Sequence, residues 1–122
     1  MKRHLTSQQL EAVQLNLIAL VEYASRVDVG EPPFFFRTCK GMIRYIDDCR
    51  DEGYITISDV TQMLVNDWKS IRNMEGGIGE YYIDSPKVSV QIAANSTFGK
   101  QVEILDGLLA IDDADDEVEN GE

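Results

Sequence analysis

In this chain of 122 residues, chemistry is first to be sought at Gly76-Gly77-Ile78-Gly79, because glycine-rich turns can cradle a phosphate. A dinucleotide fingerprint places its glycines directly after a strand and at the start of a helix, so that the helix N-terminus faces the pyrophosphate. Here they follow the end of a helix, where carbonyls and the negative pole of the dipole repel an anion. A P-loop needs Gly-Lys followed by Ser or Thr, and no such triplet occurs. The glycines are therefore expected to be structural: Gly76 or Gly77 ends a helix in the left-handed conformation, and Gly79 lets the chain enter a hairpin closely packed.

Catalytic groups are equally sparse. The single histidine, His4, stands near the start of the chain, so no serine or cysteine has an evident imidazole base. Zinc lacks a ligand set. Asp113, Asp115 and Glu117 imitate alternating calcium ligands, but Val118 occupies the place of the loop glycine. Asn95-Ser96-Thr97 matches a glycosylation acceptor without a secretion signal to go with it. The expectation is a non-enzyme with no cofactor and no metal site.

A stronger signal is a charge pattern that opposes its own helix. Between residues 33 and 52, Arg37, Lys40 and Arg44 come first, and Asp47, Asp48, Asp51 and Glu52 crowd the end. Acids in a last turn face the negative pole of the macrodipole, and Asp47 and Asp51 repel at four-residue spacing. Either Arg50 neutralises the acids within the monomer, or the surface is kept acidic to meet a basic partner. Tyr81 and Tyr82 add to the second reading: in an extended segment they point to opposite faces, so one enters the core while the other is exposed beside acids. The partner-binding candidates are Asp47, Asp48, Asp51, Glu52, Glu80, Tyr81, Tyr82 and Asp84.

The elements that must position these groups follow from periodicity. Leu10, Val13, Leu17, Leu20, Val21 and Ala24 line one face of a first helix, about residues 6–26, which Thr6 or Ser7 can cap. A second helix, 33–52, opens at Pro33, buries Phe35, Cys39, Met42, Ile43, Ile46 and Cys49, and stops at Gly53. Phe34-Phe35-Phe36 is too wide for one stripe, so at least one ring packs on the first helix or lies at an interface. A third helix starts at Thr56-Ile57-Ser58-Asp59, with a capping-box acid at Asp59, and buries Val60, Met63, Leu64, Trp68 and Ile71.

The period then changes. Lys87 to Ile92 alternates polar and apolar, and Asp84-Ser85-Pro86-Lys87 reads as a turn, which predicts a small β-hairpin over residues 80–93. Asn95 or Ser96 caps a last helix burying Phe98, Val102, Leu105, Leu108 and Leu109. The predicted fold is α+β and mostly helical: three N-terminal helices, a hairpin and a C-terminal helix. Residues 1–111 form one domain, and 112–122 an acidic tail.

Composition agrees with a globular chain, at 43% hydrophobic and 27% charged residues. The net charge of -11 is uneven. Residues 112–122 hold seven acids and no base, leaving fifteen acids against eleven bases elsewhere. Such a protein repels nucleic acid and anionic membranes and is steered towards basic proteins. Cys39 and Cys49, ten residues apart on one helix, would stand roughly 15 Å apart, too far for a mutual disulfide. With no apolar signal core or spanning segment, the expected compartment is the cytoplasm.

Over Trp68 to Asp84 the chain resembles a group of small uncharacterised bacterial proteins encoded among toxin-immunity genes. Trp68, Gly76, Gly77, Ile78, Gly79, Tyr81 and Asp84 carry the likeness: a tryptophan-bearing helix, Gly-Gly, an apolar residue, Gly, and an aromatic and acidic stretch before a final helix. Glu80 to Ile83 replaces the serine and asparagine of that pattern. The resemblance implies a cytoplasmic protein that binds and blocks a toxin, with no catalytic residues to transfer. The expected function is thus an acidic immunity protein that occludes a basic, nuclease-like toxin. The alternatives are a phage-encoded inhibitor of a nucleic-acid-binding host complex and a non-catalytic adaptor subunit.

Overall fold

The computed structural model describes residues 4–51, 53–73 and 77–109. Its elements are α1 (Ser7–Val27), α2 (Phe35–Asp51), α3 (Ile57–Asn73), a short 3-10 turn (Ile78–Glu80) and α4 (Val88–Leu109). The tail at 112–122, including the calcium-like acids, lies outside the described residues.

Local signals place the helix starts. The Thr6 hydroxyl accepts the Gln9 N–H at 3.1 Å while the Gln9 side chain accepts the Thr6 N–H at 2.8 Å, a complete capping box. Leu5 and Leu10 flank that cap at the positions of a hydrophobic staple, and both are buried. Thr56 caps α3 by accepting the Asp59 N–H at 3.0 Å. Gly53 adopts φ 70° just past α2 and returns its N–H to the Asp48 carbonyl at 3.2 Å, so its left-handed backbone closes that helix.

Helix α1 packs against α2 and α4, and α2 packs against α3. Gln14, thirteen residues before the end of α1, meets Asp47, twelve residues after the start of α2, so these two helices run antiparallel. The core between the helices holds Leu17 and Leu20 of α1, Phe35 and Met42 of α2, Leu64 and Trp68 of α3, and Leu105 and Leu109 of α4, each at most 1% exposed. Both cysteines are free, and burial pushes the Cys39 thiol up to about 12. No described helix is long and apolar enough to cross a membrane.

The α+β expectation is overturned: the described residues contain no strand, and residues 88–93 are the first turns of α4. The alternation that imitated a strand has no inward face, because Val88, Val90 and Ile92 are 69%, 40% and 64% exposed. An isolated two-stranded hairpin is marginal in water, whereas extending an existing helix adds one backbone bond per residue. The extended residues 81–85 obtain most of their bonds from side chains instead. Asn95, from inside α4, accepts the Ile83 N–H at 2.8 Å and donates to the Ile83 carbonyl at 2.9 Å, which is what a partner strand would have supplied. Asn95 is therefore a brace within α4 rather than its cap.

The glycine expectations change with it. Gly77 has φ -85°, so it is not the left-handed terminator, and Gly76 lies outside the described residues. A Cβ on Gly79 would sit 3.7 Å from its nearest neighbours on Arg72, an ordinary contact, so close packing does not require glycine there.

Candidate partner-binding surface

The segment from Gly77 to Ser85 is pinned from three sides. The Asp28 carboxylate, at the end of α1, accepts the N–H of Gly30 at 2.9 Å, the N–H of Asp84 at 3.1 Å and the hydroxyl of Tyr81. The Val29 N–H adds a bond to the Asp84 carbonyl at 3.1 Å. Burial raises the Asp28 carboxyl, but these three donors outweigh it and hold the group below its ordinary value. Burial first, and the neighbouring Asp28 carboxylate second, push the Tyr81 phenol upward.

Alternation along this extended stretch sorts its side chains. Tyr81 turns inward and meets Phe35, Phe36 and Phe98 edge-on at centroid distances of 5.3, 6.0 and 5.1 Å. Such geometry matches the positive ring edge to the negative face. Ile83 is fully buried, and Tyr82 between them is 58% exposed. The Tyr82 hydroxyl accepts from the Gln91 side chain at 2.7 Å, which fixes the ring at the surface.

Beside Tyr82 runs an open groove of about 360 Å³ between the 3-10 turn and α4. Phe98 and Val102 form its floor, with Gly79, Gly99 and Glu103 along its sides. A Cβ at Gly99 would meet nothing within 4 Å, so the glycine keeps the groove wide without answering a packing need. Arg72 also borders the groove, but both of its bonding nitrogens are committed to Asp106, at 3.0 and 2.9 Å. That carboxylate is the chief reason the Arg72 guanidinium is raised above its ordinary value. With Arg72 paired to Asp106, Glu103 is the other charged residue lining the groove. An aromatic ring beside a carboxylate suits a lysine or arginine side chain.

No protein-family model, curated protein or solved structure matches the chain. The functional reading rests on geometry.

The sequence-based candidates fall into two separate groups. Tyr82 lines the groove and Tyr81 anchors the segment from beneath, while Glu80 is exposed in the 3-10 turn and Asp84 is exposed where its backbone bonds Asp28 and Val29. The acids of α2 lie elsewhere. Tyr81 touches Phe35 and Phe36 at the start of α2, and Asp48 is twelve residues along, roughly 18 Å at helical rise. Within the acidic group, Asp47 accepts from Gln14 at 2.8 Å and from Arg50 at 2.9 Å. Arg50 also approaches Asp51 at 3.8 Å. Asp51 is exposed, Asp48 half-buried, and Glu52 lies outside the described residues. Internal neutralisation thus accounts for Asp47 and leaves Asp48 and the solvent side of Asp51 available.

Three contributors were absent from the sequence-based set: Glu103, Gly99 and the brace Asn95. Asn95 drew attention only as a cap or glycosylation acceptor, since nothing in one sequence reports that an asparagine on a helix faces an extended backbone. Among the described residues, no cluster of three or more His, Cys, Asp or Glu is placed to hold a metal ion.

Proposed function

We propose that this chain is a non-catalytic, acidic protein that binds and occludes a basic protein in the cytoplasm, as an immunity protein does for a nuclease-like toxin. The observation that carries this reading is the groove beside Tyr82. An exposed tyrosine, hydrogen-bonded to Gln91, borders a concave surface that Glu103 also lines, with the exposed Glu80 next to its wall in sequence. Tyrosine in such a setting supplies a large contact at low entropic cost, and the acids steer and orient a cationic partner. Lysines and arginines that grip nucleic-acid phosphates have the complementary charge, so occupying them here would block the partner's own ligand.

The test compares the parent chain with the double variant Tyr82→Ala, Glu103→Lys as baits in the native host. Both side chains are exposed, so the fold should persist. A basic protein retained by the parent and lost from the variant is expected, and the purified parent should then inhibit that protein's nucleic-acid binding or cleavage. Equal retention by both baits would overturn the reading, as would a captured partner whose activity the parent leaves untouched.

A further inference from the structure

The outer face of α2 carries a second surface, on a different side of that helix from its core residues and independent of the groove. Arg37, Lys40, Arg44, Asp48 and Asp51 fall within roughly 80° of one another on a helical wheel. They lie opposite the buried Phe35, Cys39, Met42 and Ile46. All but the half-buried Asp48 are exposed. Beside them Gly41 has no heavy atom within 4 Å of where a Cβ would stand, so the middle of the face is low and open.

Read from N- to C-terminus, this stripe is basic and then acidic, the reverse of what the macrodipole favours in a single helix. An antiparallel copy removes the conflict, because the basic, dipole-positive end of each helix lies against the acidic, dipole-negative end of the other. We propose that α2 is the contact face of a two-fold symmetric homodimer, with the axis passing near Arg44.

The register follows from the positions. Arg37 and Asp51 lie seven residues either side of Arg44, and Lys40 and Asp48 lie four either side, so Arg37 and Lys40 each face an acid of the partner helix. Phe34 and Tyr54 are exposed by 58% and 84% just beyond the two helix ends. The two Arg44 side chains meet at the axis between the Asp48 carboxylates of both helices, one helical turn away. A self-complementary patch of this kind is what an isologous contact requires. One helix face buries less than the roughly 800 Å² per partner of a standard interface, so the dimer is weak. At about 0.15 M salt the Debye length of about 8 Å screens the distant like charges of the two chains while sparing ion pairs in contact.

Sedimentation equilibrium of the full chain at 0.15 M salt, up to several hundred micromolar, tests this with two charge-reversed variants: Arg37→Glu, Lys40→Glu and, separately, Asp48→Lys, Asp51→Lys. Both place charge in accord with the helix dipole, so neither should unfold, and circular dichroism confirms it. The parent is expected to dimerise, each variant alone to remain monomeric, and the equimolar mixture to form a heterodimer at least as tight as the parent dimer. A parent that stays monomeric, variants that self-associate like the parent, or a mixture that remains monomeric would each overturn the proposal.

Discussion

The Tyr81 hydroxyl donates to the Asp28 carboxylate, joining the end of α1 to the segment before α4 across fifty-three residues of sequence. Three donors converge on that carboxylate, and the tyrosine ring beneath it is enclosed by Phe35, Phe36 and Phe98. Tyr82 presents its ring to solvent because its neighbour on the other face is held in this way. The anchor and the exposed residue are thus one device.

Asp28 should make stability acid-sensitive. Its carboxyl is lowered in the folded state relative to its ordinary value, so the unfolded chain binds the proton more readily. The contribution is complete above the unfolded value of about 3.9 and is lost as pH falls through the lower folded value. Thermal unfolding of the parent and of Asp28→Asn should show the parent more stable at neutral pH, with the gap closing below about pH 4. A constant gap across that window would mean the carboxylate charge is not what holds the segment.

Asp106 is the other convergent acid. It accepts the Trp68 indole N–H at 2.6 Å as well as both bonds from Arg72. Asp106→Ala would leave a buried indole donor and a guanidinium unpaired, at a cost of about 2 to 3 kcal/mol. The expected fall in melting temperature is on the order of 10 °C or more for a domain this size. Trp68 is the single tryptophan, so its emission reports the loss directly. An Asp106→Ala protein with unchanged melting temperature and emission would show that these bonds contribute nothing net.

The acids of α2 should separate into two classes. Asp47→Ala removes the acceptor shared by Gln14 and Arg50 and should cost about 1 kcal/mol, with partial exposure limiting the loss. Asp51→Asn removes an exposed charge from an unfavourable helix end and should be neutral or stabilising by about 0.3 to 1 kcal/mol. Urea denaturation of the two single variants decides it. Equal effects would mean that position on the helix, and not pairing, governs both.

Helix faces were legible in the sequence because burial repeats at the helical period: every residue assigned inward in α1, from Leu10 to Ala24, is buried. The stop at Gly53 and the caps at Thr6 and Thr56 were legible because they act within a few residues of themselves. The hairpin failed because polar and apolar alternation reports sidedness only where one side is buried, and the start of α4 projects into solvent. The split of the candidate site had the same origin in distance. Asp28 and Tyr81, Gln14 and Asp47, and Trp68 and Asp106 are pairings between residues far apart in sequence, which no local spacing can announce. That one of Tyr81 and Tyr82 turns outward was accessible from alternation, yet which of them does, and the groove beside it, depend on where α4 passes.

Asn95 offers the sharpest test of the helical start of α4. Its amide donates to the carbonyls of Ile83 and Gln91 and accepts the Ile83 N–H, and Ile83 itself is fully buried. Asn95→Asp keeps the acceptor and the volume but turns a carboxylate oxygen towards two carbonyls, replacing attraction with repulsion. A loss of about 2 to 3 kcal/mol is expected, since carbonyl groups and a charge are left without donors. Asn95→Ala should cost less, because it omits the repulsion, and hydrogen exchange of residues 83–91 should accelerate in both variants. Urea unfolding in which Asn95→Asp matches the parent would show that the brace contributes nothing net.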